Sequence, residues 1–191
     1  MRLLGGHPAL DFVNTVGGRT HSTNVRYVVD REHLQTIGDL YAWAAEAKIV
    51  SRRRSTAVSL KRALRLRESL YRIFKAFIDD RKPEARDLDV LNRELADARA
   101  HERLSVVGGR AAIVSDDRDW FEHLLRVIAR AAVELLTSEQ MSRVRQCGGE
   151  SCGWLFLDTS RNRSRQWCDM GDCGNLAKVR RFRERKKSPS P

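Results

Sequence analysis

The four cysteines of this 191-residue chain have the types and spacing for metal chemistry. Cys147, Cys152, Cys168 and Cys173 follow the pattern C-x4-C-x15-C-x4-C. Structural zinc takes four ligands in a tetrahedron, and two short chelating loops joined by a hairpin-length spacer gather four thiolates at little loop-closure cost. Spacing of x4 within each pair is less common than the x2 of many zinc sites. Two disulfides are the competing reading, but they belong to oxidising compartments. The N-terminal MRLLGGHPALDFVNT has no apolar core of a secretory signal. We therefore expect one structural Zn2+ on these four residues and a cytoplasmic setting.

Positive charge gathers on the same stretch. The net charge is +11, from 36 Lys+Arg against 25 Asp+Glu, and residues 141–191 alone carry 12 basic against 5 acidic residues, or +7. That leaves 24 minus 20, or +4, for residues 1–140. Lys and Arg clustered on a small module are the footprint of a polyanion partner, because they displace counterions condensed on phosphates. A solvated basic surface is the plainer alternative.

The elements that must position these groups follow from the local pattern. Trp154–Leu157 alternates as a short strand, Asp158-Thr159-Ser160 and Arg161-Asn162-Arg163 read as a turn, and Gln166-Trp167 reads as the partner strand. From Gly174 to Lys187 the chain is helical, with Leu176, Val179 and Phe182 on one stripe expected to pack on the finger's own core, and basic residues elsewhere. Knuckle, hairpin and helix make a treble clef. Candidates for nucleic-acid contact are Arg161, Arg163, Arg165, Lys178, Arg180, Arg181, Arg183 and Arg185.

Residues 1–140 read as a mainly helical domain with small β elements, so the chain is α+β: an N-terminal domain, 1–140, followed by a treble-clef-like zinc finger with four cysteine ligands, 141–191. Ala9–Val16 is expected to be a strand ending at Gly17-Gly18. Asp11 and Asn14 within it either satisfy backbone groups or line a ligand pocket. Helices are expected from Asp30, as N-cap, to about Val50, and from Ser51 to Arg81, where Arg52, Arg53, Arg54, Lys61, Arg62, Arg65 and Arg67 read as an exposed basic face. Pro83 marks a restart at Glu84. Leu104–Val107 and Ala111–Val114, joined by Gly108-Gly109, carry the strongest hairpin signal. VGGR occurs at both Val16–Arg19 and Val107–Arg110, which we read as repeated turn chemistry. Asp116-Asp117 reads as capping for a helix from Asp119 to Thr137, whose wide apolar face implies burial on more than one side.

Nothing in this body commits to catalysis. The five histidines lack HExxH spacing, and neither a nucleophile elbow nor a phosphate loop is present; we expect no enzyme. No apolar run is long enough to span a membrane.

Cys147…Cys152, Asp158-Thr159-Ser160 with its arginines, Trp167-Cys168-Asp169-Met170 and Cys173-Gly174-Asn175 closely resemble the CGNR zinc finger. Ala9-Leu-Asp-Phe-Val-Asn-Thr15 is similar to the signature of the ABATE domain that precedes that finger. Leu176 stands where the family has its naming arginine. The resemblance implies a stress-linked transcriptional regulator of bacterial type, with a sensing or regulatory N-terminal domain. The leading expectation is therefore DNA binding by the basic hairpin and helix, with a small-molecule effector for the N-terminal domain. Two alternatives stay open: a small-molecule-binding protein or enzyme with an accessory finger, and a finger that binds RNA or protein.

Overall fold

The computed structural model describes residues 2–19, 31–50, 58–115 and 119–187. Asp30, Arg52–Arg54 and Asp116-Asp117 lie outside them. Among the described residues, six α-helices and six short strands follow in chain order: α1 (Pro8–Val13), β1 (Val16–Gly17), β2 (Arg31–Glu32), α2 (Ile37–Glu46), α3 (Leu60–Ile78), α4 (Ala85–Ala100), β3 (Glu102–Val107), β4 (Arg110–Ser115), α5 (Trp120–Thr137), β5 (Val144–Gln146), β6 (Leu155–Leu157) and α6 (Asn175–Lys187). The strands form three separate antiparallel pairs, β1 with β2, β3 with β4 and β5 with β6.

The body is built on α3 and α5. On α5, Trp120, Phe121, Leu124, Leu125, Ile128, Ala129, Ala131, Ala132 and Leu135 are all buried, because α1, α3 and α4 contact it. The wide stripe in its sequence is that enclosure. α2 starts from a capping box, in which Thr36 Oγ1 accepts from the Asp39 amide at 3.1 Å and Asp39 Oδ2 accepts from the Thr36 amide at 2.8 Å. The sequence pattern places this start further upstream than the structure does. Gly108 and Gly109 at φ +57° and +77° make the β3–β4 turn, and a side chain at either would meet nothing within 4 Å. Their role is therefore conformation, not space.

The ALDFV stretch is a helix, not the expected strand. Pro8 occupies the first helical turn, the His7 ring accepts from the Ala9 amide at 3.4 Å, and Ala9, Leu10, Phe12 and Val13 are buried. Four apolar residues in so short a run fit a buried strand or a buried helix equally by period; Pro8 and the His7 cap decide it.

The expected basic face of α3 is also corrected. Arg67 is 2% exposed. Its guanidinium donates to both Glu32 carboxylate oxygens at 2.7 and 2.6 Å and to Glu68 Oε1 at 2.9 Å. Arg62 donates to Glu94 at 2.9 and 2.7 Å and to Glu122 at 2.7 Å, while Lys61 and Arg65 are exposed. The two VGGR copies also part company: the second is the β3–β4 turn, whereas in the first Arg19 is buried. It donates to both Glu68 carboxylate oxygens at 2.8 Å and lies 3.9 Å over the Tyr71 ring.

β6 pairs with β5, in the register Val144↔Leu157, Arg145↔Phe156 and Gln146↔Leu155, and not with Gln166-Trp167. The returning segment keeps one contact of that kind, Gly148 donating to the Gln166 carbonyl at 2.9 Å. Strand alternation then divides β6 between two interiors. Leu155 and Leu157 join the body core, while Phe156 packs with Cys147 and Cys168.

Candidate metal centre and basic helix

The cysteine cluster grows from the end of the β5–β6 hairpin. Cys147 follows β5 directly, and the loop Gly148–Gly153 folds back so that the Cys147 amide donates to the Trp154 carbonyl at 2.8 Å. Gly149 donates to Cys147 Sγ at 3.5 Å, and the Cys168 amide donates to the same sulfur at 3.3 Å. A Cβ on Gly149 would sit 3.1 Å from Cys152 Cβ and 3.2 Å from Cys173 Sγ, so glycine leaves room for the sulfurs. The other pair is set by Asp169, whose Oδ1 accepts from the Gly171 and Asp172 amides at 2.6 and 3.0 Å. It starts a wide π-type turn, Met170–Gly174, which presents Cys173 and runs into α6.

The sulfurs fit zinc by distance. Zn–S bonds of about 2.3 Å at tetrahedral angles separate sulfurs by about 3.8 Å. Cys152 and Cys168 Sγ are 3.6 Å apart and Cys168 and Cys173 Sγ 3.7 Å, and all four sulfurs lie within 4.8 Å of one another. The donor chemistry agrees. Thiols this close do not ionise independently: hydrogen bonds from Cys152 and Cys168 hold Cys147 far below the ordinary thiol value, and the same interaction with Cys147 pushes Cys152 up to about 12 and Cys168 higher still. Burial raises Cys173. A divalent cation at the centre lets all four be thiolates. The site holds one structural zinc ion.

The loop after β6 is organised by buried Asp158. Burial opposes its charge, but hydrogen bonds from the Ser160 hydroxyl and amide (2.6 and 2.9 Å) and from the Arg165 amide (3.0 Å) keep its carboxyl below the usual range. These bonds turn the chain away from β6, which is why the expected partner strand is absent there.

The nucleic-acid candidates separate into groups. Arg165 is a clamp inside the finger: it donates to the Trp167 carbonyl at 2.9 Å and to the Cys168 carbonyl, with its guanidinium 4.5 Å over Phe156. Arg180 is held by Glu150 and by Glu184 at 2.9 Å. Arg161, Arg163, Lys178, Arg181, Arg183 and Arg185 are exposed. Of these, Lys178, Arg181 and Arg185 fall at i, i+3 and i+7 and share one face of α6.

The apolar stripe of α6 does not pack on the finger core as expected: Leu176, Val179 and Phe182 are 70%, 47% and 53% exposed. α6 runs on from the π-turn and is tied back to the knuckle loop by the Arg180–Glu150 pair, and Leu176 and Val179 border an open cleft rather than a packed core.

Asn14 and Asp11 are placed by backbone groups. Asn14 donates to the Leu155 carbonyl at 2.7 Å and accepts from the Leu155 amide at 2.9 Å. Asp11 Oδ1 accepts from Gly5 at 2.7 Å.

Residues 6–139 match the profile of the ABATE family, described as "Putative stress-induced transcription regulator". The chain belongs to the ABATE family. Residues 143–186 match the CGNR zinc finger. No curated protein matches the chain as a relative.

The ABATE segment, with the residues just before it, and the CGNR finger are joined at several points. Leu157 donates to the Gly5 carbonyl at 2.8 Å, Trp154 Nε1 to the Val16 carbonyl at 2.8 Å, and the Arg19 amide to the Cys152 carbonyl at 3.3 Å. Gly153, at φ +67°, lies against Arg19 so closely that a Cβ there would stand 1.8 Å from the Arg19 carbonyl oxygen. Gln146 donates to the Tyr71 hydroxyl at 3.0 Å, and Arg2 pairs with Asp169 at 2.6 Å and with Asp172. The sequence reading missed Arg2, Arg19 and Trp154. Only the Asp169 cap, an Asp opening a turn before a helix, had a local signal.

Proposed function

We propose that the protein is a DNA-binding transcription regulator whose CGNR finger meets the phosphate backbone through α6. The observation that carries this is the face of Lys178, Arg181 and Arg185. It stands in solvent on a helix with seven basic residues and one acidic residue, fixed at its first turn by zinc. Arg161 and Arg163 add exposed positive charge in the loop after β6, with Arg163 beside Ser138–Arg143, whereas Arg165 and Arg180 serve structure. Four protein thiolates close the coordination sphere, leaving no open position for substrate, so we read the zinc as architectural and the protein as a binder rather than an enzyme. Thiolate ligation suits a reducing, cytoplasmic setting. No helix among the described residues is long and apolar enough to cross a membrane.

The test is fluorescence anisotropy on duplex DNA over a salt series. Affinity should fall with salt, with a log–log slope of about −0.9 for each phosphate neutralised. Lys178→Ala, Arg181→Ala or Arg185→Ala should each weaken binding and reduce the slope by about one, and Arg180→Ala should do much less. Salt-independent binding, or a triple Lys178→Glu/Arg181→Glu/Arg185→Glu variant that binds like the parent, would refute the assignment. Preference for structured RNA in competition would redirect it.

A further inference from the structure

A cleft of about 630 Å³ opens where the N-terminal segment, the β1–β2 ladder, the zinc knuckle and α6 meet. That volume falls in the range of small-molecule sites. One wall is apolar: Leu4, Trp154, and the α6 residues Leu176 and Val179. Leu176 and Val179 are the exposed residues that the finger core leaves uncovered, and an occupant of this cleft would cover them.

The opposite wall is cationic by strand geometry. β2 alternates, so Glu32 turns inward to Arg67 while Arg31 and His33 turn outward into the cleft. Gly17 pairs with Arg31 in the ladder. A Cβ on Gly17 would lie 3.5 Å from Arg31 Cβ and 4.0 Å from His33 Nε2, so bare backbone lies between the two side chains. Neither has a side-chain hydrogen bond or ion pair among the described residues. Arg2 and Asp172, on the same rim, neutralise each other. The zinc tetrathiolate behind Cys152, Cys168 and Cys173 carries a net charge of about −2, which repels an anionic head from that end and directs it to Arg31 and His33. A second copy of basic α6 would meet Arg31 with like charge and is disfavoured as occupant.

We propose that this cleft binds a small amphiphilic carboxylate, its head on Arg31 and His33 and its apolar body against Leu4, Trp154, Leu176 and Val179. The site is distinct from Asp11 and Asn14, where Asp11 Oδ1 accepts from Gly5 and the Asn14 amide is taken up by Leu155. It stands independently of DNA binding.

The experiment is isothermal titration of the zinc-loaded full chain with 3-phenylpropionate and octanoate, and with neutral 3-phenylpropionamide. A carboxylate should bind, and the amide at least tenfold more weakly, since it lacks the charge that Arg31 would hold. Arg31→Glu and Leu176→Glu should each lose tenfold or more in affinity. Arg161→Glu, an equal charge change outside the cleft, should not, and unliganded melting of all three should match the parent. Absence of binding by both carboxylates at millimolar concentration overturns the proposal. So does equal binding of the amide, or retention of full affinity by both cleft variants.

Discussion

Asn14→Ala tests how the ABATE segment is joined to the finger. The Asn14 amide sits 3% exposed and satisfies both main-chain groups of Leu155, at 2.7 and 2.9 Å. Alanine has nothing to offer either group. An unsatisfied buried polar group costs about 1–3 kcal/mol, so two cost about 2–6 kcal/mol. Against a total stability of about 5–15 kcal/mol for a typical domain, that is a large share. Urea unfolding of the zinc-loaded chain should show a lowered midpoint with an unchanged slope. Because Leu155 lies on the strand next to the zinc knuckle, the same variant should release zinc to a chelator more readily. Asn14→Asp sharpens the test. It keeps the acceptor for the Leu155 amide but sets a second oxygen against the Leu155 carbonyl, so it should be about as damaging at pH 7 and partly recover in acid, where the carboxyl can donate. A loss below about 1 kcal/mol for Asn14→Ala would refute the claim that this amide couples the two segments.

Burial raises the Asp11 carboxyl from 3.8 to about 6, so between these values the folded chain holds a proton that the unfolded chain has released, and stability falls as pH rises through that window. Asp11→Asn can still accept from Gly5 and should stabilise the protein by about 1–2 kcal/mol at neutral pH, after allowance for solvent screening, with the gain vanishing below about pH 4 in parallel melts. Arg165→Ala should destabilise the zinc-loaded protein by about 1–3 kcal/mol in the same urea assay, since two carbonyl acceptors and the Phe156 face lose their partner. Arg161→Ala should leave stability unchanged. Metal analysis should return one zinc per chain, and Cys168→Ser should lose it; helical CD of the body should then melt at lower temperature as well, because Leu155 and Leu157 belong to the body core.

Much of the metal site was legible because ligand spacing is a local property: the four cysteines and the helix leaving the last of them could be read directly. The Gly108-Gly109 hairpin and the wide face of α5 were legible for the same reason. What the sequence concealed was pairing across distance. Arg67 looks like one more residue of a basic helix until Glu32 and Glu68 are brought to it. Leu155–Leu157 alternates as a strand should, yet nothing local says that its partner precedes Cys147. The Leu176/Val179/Phe182 stripe predicted a helix correctly but not that all three residues would stand exposed. ALDFV misled because period alone does not separate strand from helix over so few residues. Asn14 was recognised as out of place among apolar neighbours, and either backbone satisfaction or a pocket would have explained it.

The two-sided burial of β6 bears on how this protein can be taken apart. A finger expressed from residue 143 onward would carry Leu155 and Leu157 into water, and a body ending near residue 139 would lose the strand that covers α1. Family boundaries therefore cut through one folding unit, and a finger grafted onto a foreign partner would need that partner to supply a matching apolar wall and an amide in the place of Asn14.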